Sequence, residues 1–288
     1  MTGTGDITVG VKTFMRTPKL RVCLDSLAGL AWREVLVADD GPIDAEREAM
    51  YAEASRRLPL RLLRLPFDTG LAAGRNEIVR QCTAPYLLML DDDMIVPPDA
   101  GKLTEVLDEN PEIGGVSCVL FEHGERKCTA CNIRIDGRKV IKEFVGDAEL
   151  RTTSSGQRYA VFDFVPNAAL FRTACLQQLP WDPFYKIGKE HLDFYLAHKR
   201  LGRWKFAVSL DVEMGHHPEG SSASYGQFRH GERVRLSERY FLQKFDIAEV
   251  VEGRKFDADW TSGHAPPVGP GRPESRPGHR IGAIRHRL

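Results

Sequence analysis

Pro85-Tyr-Leu-Leu-Met-Leu-Asp91-Asp92-Asp93-Met-Ile-Val-Pro97-Pro98 is the stretch on which the fold turns. Tyr86 to Leu90 is an unbroken apolar and aromatic run. Such a run without alternation predicts a strand buried on both faces, as in a parallel sheet flanked by helices. It ends in three consecutive carboxylates. Strand side chains alternate, so Asp91 and Asp93 are expected to share one side and Asp92 to turn away. Adjacent negative charges at the carboxyl end of a strand repel unless a cation lies among them. Oxygen donors suit a hard divalent ion, Mg²⁺ or Mn²⁺, which commonly brings phosphate oxygens with it. Ligands of open α/β sheets bind at these carboxyl ends.

Upstream, the same pattern repeats. Ile7 to Val11 is β-branched and apolar and leads into Lys12-Thr13-Phe14-Met15-Arg16. Pro18 opens a helix whose Leu20, Leu24 and Leu27 form one apolar face. Glu34 to Ala38 is a second strand closed by Asp39-Asp40-Gly41. A charged helix over about 44–57 and a third strand over 60–65 follow. Gly70-Leu-Ala-Ala-Gly74-Arg75-Asn76 then starts a helix, where free N–H groups and a guanidinium would suit a diphosphate. The order strand–helix–strand–helix–strand–helix–strand is that of a doubly wound nucleotide-binding half.

The second half is more mixed. It reads as a helix at about 99–108, a strand from Ile113 to Leu120, and a hairpin turning at Asp136-Gly137. A strand from Tyr159 to Phe171 is interrupted at Pro166-Asn167, and an aromatic loop carries Trp181, Phe184 and Tyr185. A helix from Gly188 to Leu201 holds Glu190-His191-Leu192-Asp193. Strands at about 203–209 and 211–215 lead to His216-His217-Pro218. Residues 219–227 are rich in Ser and Gly and read as mobile; a helix is expected at about 230–245. One domain over 1–261 is expected, with a nucleotide-binding half at about 6–98 and a second half at about 99–261. The Pro/Gly/Arg-rich segment 262–288 reads as a disordered tail.

Composition narrows the class. The chain has 288 residues and a formal net charge of +0, so nothing draws it to nucleic acid in general. No apolar run approaches the ~20 residues of a membrane span, and the first residues lack a signal-peptide pattern. A cytoplasmic location is the expectation. Cys128-Thr-Ala-Cys131 is a lone Cys-x-x-Cys; Cys118 and His123 are the partners a zinc site would need, and free thiols are the simpler expectation.

Taken in order, these motifs resemble the GT-A glycosyltransferases of family 2. A particular likeness is to β-1,4-N-acetylgalactosaminyltransferases of the ganglioside-synthase type, over about residues 7–217. The shared features are Lys-Thr-Phe-x-Arg, the Gly-Arg-Asn helix, the Asp-Asp-Asp strand end, Phe-Val-x-Asn and His-Leu-acid-Phe. The resemblance implies a metal-dependent, inverting transfer from a UDP-sugar to a carbohydrate or other hydroxyl acceptor, with an N-acetylhexosamine favoured. It places uracil on Asp39, with Asp40 beside it and Thr13, Phe14 and Arg16 shaping the pocket. Arg75 would hold the diphosphate, Asp91 or Asp92 the ribose, and Asp93 the Mn²⁺ or Mg²⁺, with Asp91 beside it and His216 or His217 completing the shell. Asn167, Trp181 and Tyr185 fall on the acceptor side, although the two aromatic rings could equally pack on the sheet. Family 2 enzymes usually carry Glu-Asp where this chain has Glu190-His191, so the base is Glu190, Asp193 or His191. The competing readings are a sugar-1-phosphate nucleotidyltransferase, disfavoured by the absence of glycine in Lys12 to Arg16, and an inactive nucleotide-sugar-binding module.

Overall fold

The computed structural model describes residues 4–143, 149–218 and 223–253. The expected tail at 262–288 lies outside them, as do residues 219–222 of the Ser/Gly-rich stretch. The first half runs β1 (Ile7–Thr13), α1 (Thr17–Leu27), β2 (Glu34–Asp39), α2 (Ala45–Ala54), β3 (Leu60–Arg64), α3 (Leu71–Gln81) and β4 (Tyr86–Asp91). Next come β5 (Met94–Ile95), α4 (Leu103–Glu109), β6 (Ile113–Glu122), β7 (Glu125–Lys127), β8 (Asn132–Asp136) and β9 (Lys139–Glu143). The remainder is β10 (Arg151–Thr152), β11 (Arg158–Phe162), β12 (Ala169–Arg172), α5 (Thr173–Gln178), α6 (Glu190–Leu201), β13 (Lys205–His216), α7 (Ala223–Arg229), α8 (Glu232–Phe245) and β14 (Glu249–Glu252).

Among the described residues the main sheet has eleven strands, in the order β10-β11-β13-β6-β12-β4-β1-β2-β3, with β5 on β13 and β7 on β6. β3, β2, β1 and β4 are mutually parallel, so their carboxyl ends open on one edge. β12 enters antiparallel between β4 and β6. A second sheet, β14-β9-β8, contains the expected hairpin at Asp136-Gly137.

Alternation in the buried strands feeds two cores. Val35, Val37, Leu88 and Leu90 face α1, α2 and α4, where Leu20, Leu24, Leu27 and Met50 are buried. Leu36, Ala38, Leu87 and Met89 face α3, α5 and α6, with Ile78, Phe194 and Tyr195. This double burial is why the strands read as continuous apolar runs.

Four details differ from the expectations. Residues 205–216 are one strand, whose register against β6 shifts between Ser209 and Glu213; the bulge reads in sequence as a break. Part of the Ser/Gly-rich stretch, Ala223–Arg229, is helical. Helix α5, to which the sequence reading assigns no element, begins directly at the end of β12. Strand β4 stops at Asp91 and residues 92–93 form a turn, so alternation does not extend to Asp93.

Candidate active site

The carboxyl ends of β1, β2 and β4 open into a cavity of about 340 Å³. Its acidic lining is Asp40, Asp68, Asp91, Asp92 and Asp93; its basic lining is Lys12, Arg16, Lys186, Arg229 and Arg233. Phe14, Tyr225 and Phe228 supply an aromatic wall. Phe14 lies 5.1 Å from Phe228 and 5.6 Å from Phe67, ring centre to ring centre.

The turn at 92–93 gives the acidic tip an arrangement that strand alternation does not predict. Asp92 is fully buried and accepts from Thr13 Oγ1 at 2.7 Å. Arg16 pairs with Asp92 and, at 2.8 Å, with Asp93 Oδ2. Arg16 therefore bridges the acidic tip, with Tyr225 beneath it at 5.0 Å, rather than bordering a base pocket. Burial, reinforced by Asp93 and Asp91 and opposed by Arg16, pushes the Asp92 carboxyl up to about 6.

Asp91 is turned the other way. Arg75 donates to its Oδ1 at 2.6 Å, while the second arm of the guanidinium meets His191 Nδ1 at 3.3 Å. Burial alone would raise the Asp91 carboxyl; the Arg75 charge outweighs it and holds the group well below the usual carboxylate range. Arg75 itself is fully buried, over the Trp181 ring at 5.6 Å, and does not line the cavity. It positions Asp91 and His191, which corrects its expected role as a direct diphosphate ligand.

The glycine turn before α3 is also committed elsewhere. Leu71 N and Ala72 N donate to the carbonyls of Lys186 and Tyr185, and Gly70 N donates to Asp40 Oδ2 at 2.7 Å. Gly70 has φ 99°, and a Cβ there would lie 2.7 Å from Lys186 Cα, so only glycine permits the approach. At Gly74 a Cβ would meet the Lys12 stem at 2.2 Å. That gap lets Lys12 cross from β1 to pair with Asp40. The helix start thus anchors a loop and passes a lysine; it presents no free N–H row to an anion.

Asp39 and Asp40 divide similarly. Asp39 Oδ2 accepts from Arg47 Nε and from Tyr51 OH, each at 2.6 Å, and its Oδ1 accepts from Gly41 N at 2.9 Å. It is 1% exposed and does not line the cavity. The expectation that Asp39 reads uracil is corrected: its neighbour Asp40 faces the cavity. Arg47 continues to Thr13 Oγ1 at 3.0 Å, so a chain of bonds runs from Tyr51 through Asp39, Arg47 and Thr13 to Asp92.

On α6, Glu190 and His191 join the Arg75–Asp91 network behind the cavity, without lining it, and Asp193 does not. Glu190 is 4% exposed; its Oε1 lies 3.2 Å from His191 Nε2, and its Oε2 has no hydrogen-bond partner. The Asn167 carboxamide also meets His191 Nε2. Burial, with Arg75 adding to it, lowers His191 to about 4, so it is neutral near pH 7. Asp193 instead accepts from Tyr185 OH and from Lys244 Nζ, both at 2.8 Å. Three residues along a helix turn a side chain by about 300°, and here the remaining offset brings Asp193 to α8 rather than to the cavity. Trp181 and Tyr185 are 1% and 0% exposed, with Trp181 stacked on Phe194 at 4.6 Å. They are core rings, not an acceptor platform. Asn167 keeps its place beside His191.

The histidine pair resolves by strand pairing. Met94 pairs with His216 across β5 and β13, and His217 N donates to Asp93 O at 2.9 Å. His216 Nε2 lies 3.9 Å from Asp93 Oδ2 and lines the cavity. His217 lines a separate cleft with Pro18, Val22 and Met94. Asp93 and His216 are the donors that could hold a cation; Asp91, also on the cavity, is paired with Arg75. Among the described residues no three His, Cys, Asp or Glu side chains converge as a ready cation site. Cys128 and Cys131 are free thiols, pushed up to about 11 and about 12, mainly by burial.

Several lining groups escape sequence reading: Lys12, Lys186, Arg229, Arg233, Tyr225 and Phe228. Two signals were available. A lysine in a fully buried strand requires a partner, and Tyr225 to Arg233 interleaves aromatic and basic residues.

Comparison with known proteins adds the lineage. Residues 8–175 match the family described as Glycosyl transferase family 2. The human β-1,4 N-acetylgalactosaminyltransferase 1 is 31% identical over 228 residues, covering 73% of this chain and 38% of that protein. An uncharacterized glycosyltransferase of Haemophilus influenzae is 30% identical over 96 residues, 32% of this chain and 36% of its own length. The chain thus spans well under half of these curated relatives. Among solved structures, S. aureus TarS 1-349 in complex with UDP-GlcNAc superposes with TM-score 0.57 at 16% identity, covering 83% of this chain and 66% of that one. The mannosyltransferase PcManGT from Pyrobaculum calidifontis, in complex with GDP-Man and Mn2+, gives TM-score 0.52 at 16% identity, covering 83% and 70%. Among the described residues no helix is long and apolar enough to cross a membrane. With the family match spanning more than half of the chain, and the sheet order and acidic strand ends as described, the chain belongs to glycosyl transferase family 2 and has the GT-A fold.

Proposed function

We propose that this chain transfers a sugar, an N-acetylhexosamine by its likeness to the N-acetylgalactosaminyltransferases, from a UDP-sugar to a hydroxyl acceptor with inversion, aided by a divalent cation. The observation that carries this reading is the single cavity in which the acidic tip, the Asp93–His216 edge, a set of cations and an aromatic wall converge. Names of relatives support it: one set transfers N-acetylgalactosamine, and solved neighbours hold UDP-GlcNAc or GDP-Man.

The base of the nucleotide fits against Phe14, with Asp40 as the acceptor for its N–H. The diphosphate meets Arg229, which makes no ion pair among the described residues and therefore has its charge available, with Lys186 and Arg233 beside it. Asp93 and His216, 3.9 Å apart, are close enough that together they would hold a cation. Such an ion commonly takes one or two protein ligands and completes its shell with phosphate and water. When bound, it would neutralise charge on the departing diphosphate.

Glu190 serves as base. Its unpartnered Oε2 takes the acceptor hydroxyl proton as that oxygen bonds the anomeric carbon, and the bond from that carbon to the phosphate oxygen breaks with its electron pair leaving on UDP. Neutral His191, held between Arg75 and Asn167, steadies Glu190 Oε1 and leaves the proton-taking oxygen free. Asp193, already held by Lys244 and Tyr185, has no part in the step.

Titration calorimetry tests the reading. UDP is expected to bind with Mn²⁺ and much more weakly in chelator, and Asp93→Ala should erase that difference. Arg229→Ala should weaken UDP by about tenfold or more, the scale of a charged hydrogen bond. Equal UDP affinity with Mn²⁺ and with chelator would refute the cation's role.

A further inference from the structure

Glu122 closes β6 one residue beyond the Phe121–Gly215 pair, which brings it alongside His216 at the end of β13. Its two oxygens have separate partners. Oε2 meets His216 Nδ1 at 2.8 Å. Oε1 is held by Lys127 at 2.8 Å, with His123 Nδ1 at 3.4 Å. The hairpin that supplies these contacts turns at His123 and Gly124, whose φ values of 56° and 82° are those of a tight turn matched to strand twist. Glu122 is 17% exposed in its side chain, so the contact is substantially shielded from water.

We infer that Glu122 is a positioning residue for the cation site: it takes the Nδ1–H of His216 and so presents the Nε2 lone pair to the Asp93 edge. The inference rests on the reading of Asp93 and His216 as cation donors and deepens it. The physical case is tautomeric. A neutral imidazole carries one N–H, and a carboxylate, which can only accept, fixes it on the nitrogen it touches. With Nδ1 protonated, Nε2 has its lone pair free, on the side facing Asp93 Oδ2. The same contact fixes the ring plane. Lys127 on the other oxygen keeps the carboxylate from turning toward the cavity, where it would compete as a ligand itself. A second carboxylate behind a ligating histidine is a recurrent means of orienting the ring and raising its basicity, and its loss commonly costs about 10- to 100-fold in metal affinity.

The test is Mn²⁺ binding rather than turnover. The full chain is saturated with UDP and titrated with Mn²⁺, free ion being read by electron paramagnetic resonance. Glu122→Ala should weaken Mn²⁺ by about 10- to 100-fold while UDP affinity in chelator stays at the wild-type value. Glu122→Gln, which keeps an acceptor oxygen and the residue's shape, should lose less and guards against a folding defect. In a His216→Ala background, Glu122→Ala should have no further effect, because its action passes through that ring. A loss in His216→Ala with none in Glu122→Ala overturns the inference alone. An equal Glu122→Ala loss with and without His216 also overturns it, since the carboxylate would then act through the fold or its charge. If neither Asp93→Ala nor His216→Ala changes Mn²⁺ affinity, the cation site itself is refuted, and this inference with it.

Discussion

Asp39→Ala should unfold the protein more readily, not merely weaken its grip on a nucleotide. The carboxylate lost is 1% exposed and accepts three hydrogen bonds, from Arg47 Nε, Tyr51 OH and Gly41 N, at 2.6, 2.6 and 2.9 Å. Its removal leaves the Arg47 guanidinium buried without its counter-charge; Thr17 and Thr13 oxygens remain, but neither is charged. Breaking one side of a buried pair costs about 3–5 kcal/mol. At this chain length each kcal/mol lowers the melting temperature by about 2–4 °C, so a fall of roughly 10 °C is expected. Removing both charges, as in Asp39→Ala with Arg47→Met, should recover part of the loss, because the uncompensated charge dominates the penalty.

Urea and thermal melts measure the first effect; calorimetry with UDP, at a temperature where the variant stays folded, measures the second. Asp40→Asn is the comparison. Asp40 faces the cavity but also forms a buried pair with Lys12, so its substitution should weaken UDP binding and, like Asp39→Ala, cost stability. The reasoning fails if Asp39→Ala melts within about 2 °C of wild type and yet loses more UDP affinity than Asp40→Asn. In that case Asp39 would read the base, as the motif alone suggests.

Glu190→Gln should lower turnover by about 10² or more with UDP affinity unchanged, while Asp193→Asn should mainly lower thermal stability; full turnover in Glu190→Gln, measured by UDP release with any accepted donor, would remove Glu190 as base. Stability should fall as pH drops below about 6.5, where an unfolded histidine begins to protonate. Burial lowers fully buried His198 to about 4 in the fold, so between these values the unfolded chain binds the extra proton and stability rises with pH. From pH 7 to pH 5 this one group accounts for about 2 kcal/mol, and His198→Gln should flatten the urea-melt pH profile by that amount. An unflattened profile would show that His198 titrates alike in both states.

The fold was legible because buried parallel strands leave a plain trace. Tyr86 to Leu90 and Val35 to Ala38 are apolar at every position since each face meets a helix layer. The acidic strand ends were legible for the same reason, as the first polar residues after such runs. Which carboxylate does what was not legible, because each assignment depends on a partner far away in sequence. Asp39 is claimed by Arg47 and Tyr51 of α2, Asp91 by Arg75 of α3, and Asp193 by Lys244 of α8. Asp40, Asp91, Asp92 and Asp93 all line the cavity, Asp91 through the part of its carboxylate that Arg75 does not hold, while Asp92 and Asp93 are bridged by Arg16, whose place in the sequence suggested a wall of the base pocket. The motif therefore fixes where charge gathers, while distant cations decide how much of it a ligand meets. The lining pairs Lys12 with Asp40, Arg16 with Asp92 and Asp93, and both Lys186 and Arg233 with Asp68. Arg229 has no such partner among the described residues, and His216 faces Asp93 across a 3.9 Å gap. An incoming diphosphate would meet Arg229 without first breaking an ion pair, whereas its cation would share Asp93 Oδ2 with Arg16. The nucleotide end of the donor is therefore expected to bind along the line from Arg229 to His216, with the Arg16–Asp93 pair loosened as the cation enters.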